Sequence, residues 1–500
     1  MSAEPMLRHP NRLDPAVVGR VAAVTTLRLV TAAHFGGGEG DVTDAQLLRD
    51  ADGEPFIPGA SLAGACRAYL RGLSRVAPDD LEMLFGGREQ RQDEGSESPT
   101  VQDDDWQQST LILDDAFPTG ELPAPALRDH VRLDALRRTA ADGGKFDQEV
   151  LEPGSAFTLR LELPLRQAHA EQLERLRTLF NALLDALEFG EVHLGAHTRR
   201  GLGKVETTPW QVLELDFRDV NDVVRWLTDT PPGDDATERW GRDYPGSGIA
   251  KVGTRRYCYI SATLELEGPI LVRATPPGEQ ADAPDAVQFR SGGQPVVPGS
   301  SLAGALRHRA LRICRTLASD QERAADTVDG IFGPGFRDNQ PPTEHRSSPL
   351  RVDEAPISGS RSQRQTRIAI DRFTGGTMPG ALIEEMPEWP DAGATATLQV
   401  SVRLDDRDGS TKQHVPFEAG CGLLLLLLKD LCTGDLPVGG GAAVGRGVLR
   451  GRSGRIEIDD GSKRRWAWRA EGGGITLDGD RDPLEQWVTA LGSHLRGDAG

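Results

Sequence analysis

One eleven-residue stretch is written twice in this chain. Residues 57–67 read IPGASLAGACR and residues 297–307 read VPGSSLAGALR, differing only by the exchanges Ile/Val, Ala/Ser and Cys/Leu. Each copy has the same physical grammar. An apolar strand end meets Pro-Gly, two small residues occupy a helix N-cap position, and a Leu-Ala-Gly-Ala run opens the helix. Small residues at a helix start leave backbone N–H groups open to a phosphate. A single copy would be an ordinary strand-to-helix turn. Two copies far apart divide the chain into two related halves of about 240 residues.

The neighbours of the motif repeat in the same order. The first half predicts a strand at 21–30, a glycine run after His34, the segment DAQLLRD (44–50), and a motif helix with Arg67, Arg71 and Arg75 along one face. Leu84-Phe85-Gly86 follows, then an acidic stretch at 88–108 and a strand at 111–113. Residues 157–163, FTLRLEL, alternate as a strand does, and 167–188 form an amphipathic helix. A glycine loop at 195–205, a strand at 212–215 and a helix at 220–227 complete the half. In the second half a strand at 262–266 precedes DAVQFR (285–290), which matches DAQLLR, and Ile331-Phe332-Gly333 echoes Leu84-Phe85-Gly86. LRVDEAPI (350–357) matches LILDDAFP (111–118), and IAIDRFTGGTMPGALIEE (368–385) matches VRLDALRRTAADGGKFDQE (131–149). A buried helix at 417–431 leads to the glycine loop 439–451. The ends also agree, LELDFRDVNDVVRWL (213–227) with ITLDGDRDPLEQWV (475–488). The expected architecture is α+β: units 1–227 and 249–500 joined by a Pro-, Gly- and Asp-rich linker, 228–248.

The start of the chain is polar and Pro-interrupted, and the longest apolar run, 423–428, is far too short to span a bilayer. Five cysteines without a CxxC pair suit a reduced, cytoplasmic protein and offer no zinc framework. His193 and His197 are spaced for a helical metal site, but they flank Gly195 and no third ligand is near. The glycine loops lack the strand–GxGxxG–helix order of a dinucleotide site and the Lys-Ser/Thr of a P-loop. The net charge of −19 excludes a protein that binds nucleic acid through overall basicity. Any such binding must use local arginines, and residues 358–372 concentrate Arg361, Arg364, Arg367 and Arg372 against one acid, Asp371.

Taken together, the PG[AS]SLAGA[CL]R motif, the Phe-Gly doublet, the IDRFTGG-type segment and the Arg-Gly loop resemble the RAMP superfamily of CRISPR-associated RNA-binding proteins. They are most similar to the backbone subunits of type III effector complexes. The ordered set occurs twice and covers nearly the whole chain, as in the fused backbone subunits of III-D-like systems. The resemblance implies two ferredoxin-like, RRM-like units with thumb and other insertions. It implies that each unit grips guide RNA while its thumb displaces one nucleotide of the guide–target duplex. It further implies other type III subunits and target RNA as partners, and no membrane.

In cleaving members of that family an aspartate upstream of the motif supports cutting of target RNA. Asp44 and Asp285 stand at that position, with Asp282 a nearby competitor. Such a carboxylate holds Mg²⁺ against the phosphate or takes the 2′-hydroxyl proton. Phosphate contacts are expected from Ser61 and Ser301 at the helix starts, from Arg67 and Arg307, from Arg199, Arg200, Arg446 and Arg450 in the glycine loops, and from Arg361, Arg364 and Arg367. With few aromatics, readout should be of backbone and shape. Two alternatives stay open: a non-catalytic scaffold that only binds guide RNA, and a metal-independent guide-processing endonuclease with His34 as general base.

Overall fold

The computed structural model describes residues 16–40, 43–88, 106–133, 140–228, 247–276, 282–334, 347–406, 415–460, 462–471 and 474–497. Most of the acidic stretch 88–108 and of the linker 228–248 lies outside them. Contacts divide the chain into two units. The first comprises Met1–Ala126, Glu149–Ala196 and Gly203–Thr254; the second comprises Leu127–Gln148, His197–Leu202 and Arg255–Gly500.

The first unit is built on strand β1 (Val17–Leu29), whose residues Val21, Ala23, Leu27 and Leu29 are buried on one face. Helices α1 (Gly59–Arg71) and α2 (Pro78–Phe85) follow. Strand β2 (Ala156–Arg166) runs antiparallel to β1 with Val21 opposite Leu163 and Leu27 opposite Phe157. Helix α3 (Leu173–Glu188) buries Leu176, Leu179, Phe180, Leu183 and Leu187, the stripe its periodicity predicts. Strands β3 (Val205–Thr207) and β4 (Gln211–Asp216) pair with the other edge of β1, and the short strand Ile112–Leu113 pairs with β2. The sheet order is therefore last, first, third, second, all antiparallel, which is the ferredoxin-like βαββαβ arrangement. Helix α4 (Val220–Leu227) lies against β4. Helix α5 (Ser247–Val252), which the sequence assigns to the linker and the start of the second half, packs instead on α3. Gly248 and Ile249 donate N–H to the buried Asp185 carboxylate at 2.8 and 3.3 Å.

The second unit repeats this plan. Strand β5 (Tyr257–Leu266) alternates without a break and buries Cys258, Ile260, Ala262, Leu264 and Leu266. Helices α6 (Gly299–Leu317) and α7 (Gln321–Phe332) precede β6 (Leu350–Val352). Strands β7 (Gln365–Ile370) and β8 (Thr377–Met386) form a hairpin. Then come β9 (Thr397–Asp405), α8 (Phe417–Thr433), β10 (Leu449–Asp459), β11 (Lys463–Glu471), β12 (Gly474–Asp478) and α9 (Asp482–Arg496). β10, β5, β9 and β6 reproduce the ferredoxin-like order, and the apolar run 423–428 lies in α8 against the core.

The ends of the halves are not equivalent, contrary to their sequence likeness. In the first unit β4 pairs directly with the central strand β1. In the second that place belongs to β10, and β12 is a further edge strand beyond β11. Helix α9 joins the helical layer through Leu484, Trp487, Leu491 and Leu495.

Two segments from the first half of the sequence belong to the second unit. One is most of the hairpin formed by strands Ala126–Leu133 and Ala140–Val150; the other is the loop tip His197–Leu202. Arg128, in that hairpin, is buried between Glu354 (2.7 Å) and Ser291 (2.8 Å), with Phe289 5.0 Å from its guanidinium.

Candidate functional site

The motif glycines explain the motif. A Cβ on Gly59 would lie 2.2 Å from the Leu113 carbonyl oxygen, and one on Gly299 would lie 2.4 Å from that of Val352, at the matching place. Only glycine lets the helix start approach the neighbouring strand so closely. The helix starts differ in what they offer. In α1, Gly59 N–H donates to the Asp115 carboxylate at 2.7 Å, and Ser61 and Leu62 N–H turn back to Pro58 O at 3.0 and 3.1 Å. The expectation of N–H groups open at Ser61 is not met there, because a carboxylate already occupies the positive end of the helix. In α6, Leu302 N–H bonds Pro298 O at 3.0 Å, and no described residue accepts from Gly299, Ser300 or Ser301 N–H. Glu354, the counterpart of Asp115, faces Arg128 instead.

Beside the α6 start lies a group of arginines. Arg307 donates to Gly333 O at 2.6 Å and to Asp329. Arg200 donates to Phe332 O at 2.9 Å and to Arg199 O at 3.3 Å, with no carboxylate among the described residues. Burial and the fields of Arg307 and Arg199 lower its pKa, the signature of a cation that an anion would relieve. The Phe-Gly doublet is thus a pair of carbonyls that aims two guanidinium groups. Arg199 binds Asp405 at 2.7 Å together with Arg403 and Arg255. Burial alone would raise the Asp405 pKa, but these three cations hold it far below the carboxylate range.

Arg446 does not join them. It is buried, with one Nη 2.7 Å from Glu385 and the other 2.6 Å from Gln365 Oε1. The register of the loops gives the reason. Gly203 and Gly447 occupy the same tight position, against Leu194 O and Val438 O respectively, so Arg446 takes the place of buried Leu202 and exposed Val444 that of Arg200. Arg450 is half-exposed and held by Glu267 at 2.6 Å. Arg361 pairs with Asp391 at 3.6 Å, and Arg364 with Asp282 and Glu384 at 3.3 Å each. Arg367 on β7 and exposed Arg372 at the hairpin tip have no ion-pair partner among the described residues, nor has Arg67 on α1.

The aspartate loops are held by the ends of the hairpins, which sequence reading did not single out. In the first unit Glu149 N–H donates to Ala45 O at 2.9 Å and its carboxylate accepts from Leu47 N–H (2.9 Å) and Arg49 (3.3 Å). Its carbonyl accepts from His34 Nδ1 at 2.7 Å. Asp44, next to Ala45, is exposed. In the second unit Asp285 is also exposed, but its N–H donates to Glu384 O at 2.7 Å and its Oδ2 accepts from Glu384 N–H at 2.8 Å. Glu149 and Glu385 close the two matching segments in the sequence, and that shared ending was the available signal. His34 is buried, and its counterpart across the loop glycines Gly195 and Gly439 is buried Leu271. Its ring fills a core position.

Among the described residues no three His, Cys, Asp or Glu side chains group as a metal site. A single exposed carboxylate such as Asp44 fits Mg²⁺ only where substrate phosphate and water supply the other ligands. All five cysteines are buried free thiols, and no described helix is long and apolar enough to cross a membrane.

No curated protein matches the chain. A family model, described as RAMP superfamily, matches residues 26–206 and 263–450, more than half of the chain, once over each ferredoxin-like sheet. The duplicated motif, the repeated sheet order and this double match agree: the chain is a tandem member of the RAMP superfamily.

Proposed function

We propose that the chain is a backbone subunit of a cytoplasmic, type III (III-D-like) CRISPR ribonucleoprotein that binds guide RNA and cuts complementary target RNA. The observation that carries the RNA-binding part is the α6 start, where open N–H groups meet Arg200, a cation without a carboxylate, and Arg307. Ser301, Arg367 and Arg372 extend this set, whereas buried Arg446 supports the hairpin base. Cutting is assigned to Asp44, whose exposure supports the reading, with Mg²⁺ supplying charge neutralisation at the phosphate when bound. Asp285 would serve the second of two spaced cuts.

Assembling the complex with Asp44→Ala, Asp285→Ala or both, and sizing target-RNA products with and without Mg²⁺, tests this reading. Each single change should erase one product; an unchanged ladder ends the assignment. A second reading, a scaffold whose second unit only binds, draws support from the Asp285 carboxylate, already engaged by Glu384 N–H. It predicts that Asp285→Ala leaves every product in place. The buried, carbonyl-bonded ring of His34 gives no support to a general-base role.

A further inference from the structure

Among the described residues, the sheet of the second unit has helices on one face only. Cys258, Ile260, Val402, Ile456 and Trp466 point into the helical core. Alternation along the same strands sends Tyr257 and Tyr259 of β5, Arg403 of β9, Arg455 of β10, and Arg465 and Arg469 of β11 to the opposite face. The register sets them side by side: Tyr259 lies opposite Arg403, Ser261 opposite Arg455, and Ser453 opposite Arg469. Arg403 stands 4.2 Å over the Tyr257 ring and Arg455 5.4 Å over that of Tyr259. Arg455 and Arg469 are exposed and have no acidic partner among the described residues, whereas Arg465 is bound to Glu457 at 2.8 Å.

The first unit, with the same strand order, covers part of this face, although Arg28 and Thr158 remain exposed on it. Leu213 and Leu215 of β4 are buried there beside Phe217; Trp226 of α4 packs at a tilt on Phe217, and Arg20 stands 5.1 Å over the Trp226 ring. The second unit has no such cover among the described residues. It places two of the four tyrosines of an aromatic-poor chain on one strand, under arginines, in a protein of net charge −19.

We propose that this open face is a second RNA contact, which takes a single-stranded segment by stacking bases on the Tyr259–Arg455 pair and holding phosphates with Arg455 and Arg469. Guanidinium planes over tyrosine rings are suited to unpaired bases, and unneutralised cations to the backbone between them. The inference rests on the RNA-binding reading above but uses residues outside the α6 start.

The test is fluorescence anisotropy of the full chain with a labelled single-stranded RNA of mixed sequence, across a salt series. The Arg455→Ala/Arg469→Ala double variant should bind about tenfold more weakly, with its log affinity–log salt slope shallower by about 1.4, the figure for two cations on a single strand. Tyr259→Ala should lose about fivefold or more, and Tyr259→Phe should bind as wild type. 4-Thiouridine in the RNA should crosslink to peptides from β5 or β10. Circular dichroism melts matching wild type would confirm that the variants fold; a shifted melt transfers the decision to the crosslinks on wild-type protein. Sheet variants within twofold of wild type, with crosslinks elsewhere, overturn this inference. If Arg200→Ala/Arg307→Ala then abolishes binding, the proposed function stands without it. No RNA binding by wild type or by the assembled complex removes both. Loss of poly-glutamate binding by the sheet variants with RNA binding intact would make the face a protein surface and also overturn the proposal.

Discussion

Arg446 and Arg200 show how little a residue's letter says about its role. Both belong to Arg-Gly loops that the sequence presents as equivalent, yet only Arg200 has a surface role open to it. A shift of two residues within the loop sends Arg446 inward. Motif reading could not detect the shift, because the contact that sets the register is the close approach of Gly447 to Val438 O. Arg446→Met should leave Glu385 buried with only Arg273 at 2.9 Å to neutralise it, and should lower the stability of the second unit by about 3 kcal/mol. The denaturant midpoint measures this. His130 supplies a pH test. Its ring stacks on Phe146 at 4.8 Å, and burial, with the fields of His197 and Arg128, brings its pKa down to about 4. An unfolded histidine titrates near about 6.5. Above that value neither state takes the proton. As pH falls towards about 4 only the unfolded state does, so the second unit loses stability across that window and the loss levels off below it. The drop in urea midpoint between about pH 7 and about pH 5 should be larger for wild type than for His130→Phe; equal drops would refute the assignment.

Elements were more legible than residues, and for a physical reason. Period-two and period-3.6 patterns report which side of a strand or helix faces the core, and β2, β5 and α3 carry them cleanly, whereas the unbroken leucine run of α8 marks a helix buried nearly all round. The motif was legible because its glycine is a packing requirement. Adding a methyl to Gly59 or Gly299 must displace a strand carbonyl, so Gly59→Ala and Gly299→Ala should each cost about 1–3 kcal/mol even though alanine favours helices. Melts that rise for either variant would show that the close approach is relaxed at no cost. What misled was the likeness of 213–227 to 475–488. Both are a strand followed by an amphipathic helix, a pattern that many places in an α+β fold accept. Nothing local records that β10 pairs along the length of β5 or that β11 and β12 extend the sheet beyond it.

At the scale of the whole molecule the sequence shows a duplication but hides how its pieces are shared. Each unit has its own core, one around β1, α1 and α3 and the other around β5, α6, α8 and α9. Unfolding should therefore show two transitions, the lower of Gly59→Ala and Gly299→Ala marking which is which. Arg128 then gives a test that the linear order of the chain would answer wrongly. It lies well inside the first half of the sequence, yet its guanidinium is buried among Glu354, Ser291 and Phe289 of the second unit. Removing it takes from the buried Glu354 carboxylate its guanidinium partner at 2.7 Å, a loss of about 3 kcal/mol, or roughly 6–12 °C for a unit of this size. Arg128→Ala should lower the transition that Gly299→Ala lowers and leave the other in place. A shift in the transition marked by Gly59→Ala instead would return the hairpin to the unit its sequence position suggests. Differential scanning calorimetry of the three variants decides between them.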